Sequence, residues 1–179
     1  MAVNRRTVIK QIFCFSAGIT LLPTSFVARA NSSSMLLKTV RISYDQEKTL
    51  ESLTDTLIPS TKTPGAKAAG AHLFIVKMLD DCYRREDQQR FTNGLEQFEK
   101  IAVKQYGKEF YKCTQPERET ILAGIDGKKG LDAALTYFYS VSKRLTIQAY
   151  TSSQFYLTNV QVYKMIPGKF QGCVPVKIS

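Results

Sequence analysis

Ala66-Lys67-Ala68-Ala69-Gly70-Ala71-His72-Leu73-Phe74-Ile75-Val76-Lys77-Met78-Leu79-Asp80-Asp81-Cys82-Tyr83 is the stretch on which the fold turns. As one helix from Ala66 to Tyr83, its apolar residues Leu73, Phe74, Val76, Met78 and Leu79 cover more than one stripe of the cylinder. A helix apolar over so wide an arc needs neighbours on several sides, which places this one at the centre. The small residues at its start permit close approach of another helix or another chain.

Working outward, Leu50, Leu53, Leu57 and Ile58 share one face of a preceding helix. Asp45 is its expected N-cap, with Glu47 in the first turn. Pro59 stops it, and Ser60-Thr61-Lys62-Thr63-Pro64-Gly65 is a turn by composition. Downstream, Phe91, Leu95, Phe98, Ile101 and Ala102 mark a third helix from about Asp87 to Tyr106, closed by Gly107. Thr114-Gln115-Pro116-Glu117 starts a fourth, with Thr114 as cap and Pro116 near the first turn. It ends near Ile125, before Asp126-Gly127-Lys128-Lys129-Gly130. The fifth runs from Leu131 to about Tyr150 and carries Tyr137, Phe138 and Tyr139, which suit core and interface. From Thr151 to Ser179 the chain is broken by Pro167, Gly168, Gly172 and Pro175 and reads as an extended, wrapping arm. No strand alternation competes. The expected fold is all-α: a single helical-bundle domain of about five helices with an irregular C-terminal arm.

The N-terminus has a different character. Asn4-Arg5-Arg6-Thr7-Val8-Ile9-Lys10 fits the twin-arginine export pattern through Arg5 and Arg6. The apolar run from Gln11 to Leu22 is interrupted by Ser16, Gly18 and Thr20. It falls short of the roughly 20 apolar residues a membrane span needs. Ala28-Arg29-Ala30 supplies a cleavage pattern, with cutting expected after Ala30; retention as an N-terminal anchor is the alternative. The expected division is a signal peptide over 1–30, a loose segment over 31–44 and the helical domain over 45–179. Twin-arginine export carries folded proteins, commonly because a cofactor is inserted first. The mature chain must then hold a cofactor or travel with a partner that does.

Composition narrows the function classes. The net charge of +10 includes Arg5, Arg6, Lys10 and Arg29, with no acid among residues 1–30, which leaves +6 for the rest. The remaining cations are interleaved with acids, as in Asp80-Asp81-Cys82-Tyr83-Arg84-Arg85-Glu86-Asp87, which is the pattern of a solvated face. No base-reading motif accompanies them, so nucleic acid is not an expected partner. Cys14 lies in the leader, leaving Cys82, Cys113 and Cys173. Outside the cytoplasm, one disulfide and one odd thiol is the simplest count. There is no C-x-x-C or C-x-x-C-H, and a single His72 excludes a metal site built from several imidazoles.

Catalytic constellations are also lacking. His72 is the one histidine, with no nucleophile signature around it, and reads as a structural or interface residue. Asp80 and Asp81, adjacent on a helix, point about 100° apart, unlike a glycosidase carboxylate pair. Glu47, Glu51 and Asp55 recur every fourth residue, as a solvated face does. Gly65-Ala66-Lys67-Ala68-Ala69-Gly70 lacks the spacing of a phosphate loop. No catalytic, cofactor-binding or metal residue is assigned.

Asp55-Thr56-Leu57-Ile58-Pro59-Ser60-Thr61-Lys62-Thr63-Pro64-Gly65-Ala66-Lys67-Ala68-Ala69-Gly70-Ala71-His72 resembles the opening signature of the gluconate 2-dehydrogenase subunit 3 family. Met78-Leu79-Asp80-Asp81-Cys82-Tyr83 is similar to its second block. Lys143-Arg144-Leu145-Thr146-Ile147-Gln148-Ala149-Tyr150-Thr151-Ser152-Ser153 resembles a third, with Ala149 where glycine is usual. Val162-Tyr163 and Ile166-Pro167-Gly168-Lys169-Phe170-Gln171-Gly172-Cys173-Val174-Pro175 are similar to its tail. The likeness runs from about 45 to 175 in ordered blocks.

The resemblance implies a small subunit of a periplasmic sugar or polyol dehydrogenase, an oxidoreductase acting on CH–OH groups. Such a subunit accompanies a larger FAD-containing chain of the glucose-methanol-choline (GMC) type, often with a cytochrome c as electron acceptor. It carries the leader for the twin-arginine translocase and escorts the flavoprotein out. It needs no cofactor of its own, FAD being on the partner. The complex is expected in the periplasm, with membrane association through its other subunits. Cys82 and Cys173 fall in family blocks and Cys113 does not, which implies a Cys82–Cys173 disulfide. Closing so long a loop is expected to stabilise by about 4–5 kcal/mol in the chain-entropy model. Cys113 is then a buried thiol or an intersubunit link. The expected partner interface comprises Pro64, Gly65, Ala66 and His72, the junction Tyr150, Thr151 and Ser152, and Pro167, Gly168, Gly172 and Pro175 of the arm. Two other readings stand beside this one: an enzyme using His72 with a carboxylate, and a stand-alone periplasmic helical binding or structural protein.

Overall fold

The computed structural model describes residues 37–126, 130–161 and 168. Among them are five α-helices: α1 Tyr44–Leu57, α2 Ala71–Cys82, α3 Arg85–Tyr106, α4 Gln115–Asp126 and α5 Ala133–Thr151. A 3-10 turn at Phe110–Lys112 precedes α4, and a π turn at Tyr156–Val160 follows α5. No strand occurs among the described residues, so the all-α bundle is confirmed. The leader with Arg5 and Arg6, and the tail with Pro167, Gly172, Cys173 and Pro175, lie outside the described residues.

The helices form where the apolar spacing places them. Leu50 and Leu53 of α1, Ile75, Val76 and Leu79 of α2, and Phe91, Leu95, Phe98 and Ala102 of α3 are buried in one core. Ile121 and Ile125 of α4, with Leu135, Phe138, Val141 and Leu145 of α5, complete it. Phe138 is the aromatic hub: its ring centroid lies 4.9 Å from that of Phe91 and 5.4 Å from that of Phe98, which is itself 4.7 Å from Phe110. Such tilted and edge-on pairs contribute beyond the area they bury. Cys113 is buried beside Phe110, and burial raises its thiol pKa. Of the aromatic trio in α5, Phe138 and Tyr139 are buried, whereas Tyr137 is partly buried and carries the Arg90 guanidinium 4.7 Å from its ring centre.

Several boundaries depart from expectation. The N-cap of α1 is Ser43, not Asp45. Ser43 Oγ accepts from Gln46 N at 3.2 Å and Gln46 Oε1 accepts from Ser43 N at 3.1 Å, a reciprocal capping box. Helix α2 begins at Ala71, not Ala66, because Gly70 adopts a left-handed φ of 68° that interrupts the run. Residues 66–69 form a turn instead. The arm does not start extended at Thr151: α5 continues through that residue, and after a short break the π turn follows.

The stretch from 37 to 43, expected to be loose, is fastened to α2. The Asp80 carboxylate accepts from the backbone N–H groups of Lys38 (2.8 Å), Thr39 (2.7 Å) and Val40 (3.0 Å) and from the Thr39 hydroxyl (2.8 Å). This seats Val40 and Ile42 in the core. Burial pushes the Asp80 carboxyl up, but the four donors outweigh it and hold the pKa far below the ordinary range. Asp81 does something different, pairing with Lys38 at 3.0 Å and Lys77 at 3.1 Å on the surface. At the end of α2, the Gln88 amide donates to the carbonyls of Leu79 (2.8 Å) and Tyr83 (3.1 Å), serving acceptors that the helix terminus leaves open.

Candidate partner interface

The blocks 55–72 and 143–153, far apart in sequence, meet at one end of the bundle. After Pro59 ends α1, the chain folds back on the helix it has just left. Ala66 N donates to Ile58 O at 2.9 Å and Gly65 N donates to Ser60 Oγ at 3.0 Å. A Cβ on Gly65 would stand 2.5 Å from Ile58 O and 2.6 Å from Ser60 N, so only glycine fits this approach. The returning chain buries Ala66, which packs with Ala71 at the start of α2 and Ala149 near the end of α5. Ile58 and Phe74 border this cluster. Small side chains thus let α1, α2 and α5 come together. The Ala149 methyl is accommodated in the cluster.

Around this seam lie the other expected interface residues. Pro64 is exposed, but Gly65 and Ala66 are buried within the chain, so the turn presents Thr61, Lys62, Thr63 and Pro64 outward. Tyr150 and Thr151 are half-buried and Ser152 is exposed. The Tyr150 ring meets Tyr156 of the π turn edge-on, with centroids 5.7 Å apart. Thr151 Oγ1 donates back to Ile147 O at 2.9 Å, which satisfies its hydroxyl within the helix. Gly168, the one described residue of the arm's set, is exposed with a φ of 73°.

His72 is half-buried in the first turn of α2, and its Nδ1 is shielded from solvent with no hydrogen-bond partner. Burial lowers its pKa; Glu51 and Glu47 oppose this, while Lys48 and Lys67 reinforce it. The imidazole is therefore neutral at pH 7. Glu51 pairs with Lys48 at 2.8 Å and with Lys67 at 3.4 Å, the latter bond tying the turn to α1. Glu47 is buried and Glu51 half-buried, so the acidic stripe of α1 is not wholly the solvated face its spacing suggests. His72 touches no nucleophile by hydrogen bond among the described residues, and no group of three or more His, Cys, Asp or Glu among them is placed to hold a metal ion. No helix among them is long and apolar enough to cross a membrane.

The sequence reading missed two apolar residues at this end, Ile147 and Val160, which are about half exposed. Ile147 sits in a block already singled out, and its place on the outward face of α5 is the signal that finds it. The model of the family described as gluconate 2-dehydrogenase subunit 3 matches residues 44–168, well over half of the chain. The chain belongs to the gluconate 2-dehydrogenase subunit 3 family. No curated protein and no solved structure was found to match. The family match takes in all five helices and both sequence blocks that meet at Ala66, Ala71 and Ala149. Cys82, in the block at the end of α2, is exposed, and its sulfur is bonded to no other cysteine among the described residues.

Proposed function

We propose that this chain is the non-catalytic small subunit and export escort of a periplasmic, FAD-dependent sugar or polyol dehydrogenase. Its membership of the gluconate 2-dehydrogenase subunit 3 family carries the reading. In this proposal a GMC-type flavoprotein holds FAD and the substrate site, and a cytochrome c takes the electrons. The Arg5-Arg6 leader directs the assembled pair to the twin-arginine translocase. The seam formed by the 59–70 turn and the end of α5 faces the partner. Exposed Pro64, Ser152 and Ile147 there offer a mixed polar and apolar surface, as non-obligate interfaces do.

Affinity purification of the tagged full chain from the periplasm of its native host tests this directly. A larger, stoichiometric partner with a flavin absorbance spectrum is the expected result. A colourless protein that arrives alone would overturn the assigned role and favour a stand-alone helical protein.

The same proposal includes a disulfide between Cys82 and Cys173. The exposed position of Cys82 leaves its sulfur accessible to the tail. Alkylation of non-reduced periplasmic protein, followed by peptide mass mapping, should label neither cysteine. Modification of both would rule the bridge out.

A further inference from the structure

At the opposite end of α2 from the partner seam, the strap from Lys38 to Arg41 runs beside Gln46 of α1 and the first three turns of α3. Between them lies a groove of about 530 Å³, within the size range of small-molecule sites. Its lining is polar and rich in donors: Arg41 on the strap, Arg85 and Gln89 on α3, with Thr92 and the single acid Glu96 farther along. Lys38 also borders it, but its ammonium is held by Asp81. Arg41 and Arg85 have no ion-pair partner among the described residues. Two guanidinium groups therefore share one concavity with only Glu96 to oppose them.

The walls are fixed rather than pliable. The strap that carries Arg41 is fastened through the Asp80 carboxylate, and Gln88 on the groove floor is buried with its amide bound to carbonyls of α2. A concave site whose two cations are held on anchored backbone loses little freedom when it takes an anion. Guanidinium groups match oxyanions through paired, charge-assisted hydrogen bonds. We propose that this groove binds a small phosphate ester, with Arg41 and Arg85 holding the phosphate and Glu96 disfavouring any second negative charge near its end.

Isothermal titration of the full chain with glycerol 3-phosphate, inorganic phosphate and glycerol tests the assignment. Both phosphates should bind saturably and glycerol should not. Arg41→Ala and Arg85→Ala should each weaken binding about tenfold, whereas Glu96→Gln should tighten it about threefold. Lys104→Ala, in the last turn of α3 and outside the groove, should change nothing. All four residues are exposed, and circular dichroism of each variant verifies that the fold is kept. Absence of saturable binding by either phosphate overturns the proposal. So does binding that both arginine variants retain unchanged.

Discussion

Replacing Gly94 with alanine is expected to lower the Tm of this protein by roughly 6 °C, although alanine is the better helix former. Inside a helix that exchange alone favours alanine by about 1 kcal/mol. Gly94 lies at the crossing of α3 and α5, where a Cβ would stand 2.2 Å from Ala134 O, 2.8 Å from Ala134 C and 2.6 Å from Phe138 Cβ. Two of those atoms are backbone and the third is the root of a side chain, so none can rotate away. The first turns of α5 would have to retreat from α3. That would open the contacts of Phe138 with Phe91 and Phe98, on which the aromatic core depends. Overpacking with no soft neighbour costs about 3 kcal/mol, which outweighs the propensity gain. Gly124 in α4 is the internal control, since a Cβ there meets nothing within 4 Å. Gly124→Ala should raise stability by about 0.5–1 kcal/mol. Thermal melts of the two variants should move in opposite directions. A Gly94→Ala protein as stable as the parent would mean that α3 and α5 are not so close.

Glycine within a helical pattern is itself a sequence signal, because its cost invites a packing reason. Gly94 stands inside such a pattern, between Phe91 and Leu95. The apolar spacing of Leu50 and Leu53, and of Phe91, Leu95 and Phe98, was enough to place α1 and α3, since those residues have no other way to leave water together. The start of α2 was not legible in the same way. The run Ala66–Ala71 is alanine-rich and favours a helix locally, but burial of Ala66 against Ala71 and Ala149 is satisfied only if the chain turns at Gly70. Tertiary packing overrode propensity there. At α1, Ser43 and Gln46 form a capping box that the sequence does show, whereas acidic Asp45 drew the cap two residues late. The candidate interface was legible only through resemblance, because nothing in residues 59–70 by themselves says that Ala149 will sit against them.

Asp80→Asn is the second variant with a large expected effect, a loss of about 3 kcal/mol near pH 7, and its cause could not be read from sequence. Asp80 and Asp81 are chemically identical neighbours, yet their surroundings give them different work. Three of the four donors to Asp80 are main-chain N–H groups some forty residues upstream, which carry no residue signature. An asparagine presents one acceptor oxygen and an NH2 group that faces those donors, so at least one N–H is left unpaired and partly buried. The strap should loosen first. Hydrogen exchange at Thr39 and Val40 is expected to accelerate before the amides of α3 respond, because the strap's fully buried share of the core is limited to Val40 and Ile42. Asp81→Asn, which removes surface pairs with Lys38 and Lys77, should change far less. The pH dependence gives an independent check. A carboxyl whose folded pKa lies below its unfolded value contributes its full stability above the unfolded pKa, about 4, and loses it as pH falls towards the folded one. The gap between parent and Asp80→Asn in urea-unfolding free energy should therefore be constant from pH 7 to about 5 and narrow on further acidification. A gap that stays unchanged down to pH 2 would show that Asp80 acts through its shape and not its charge.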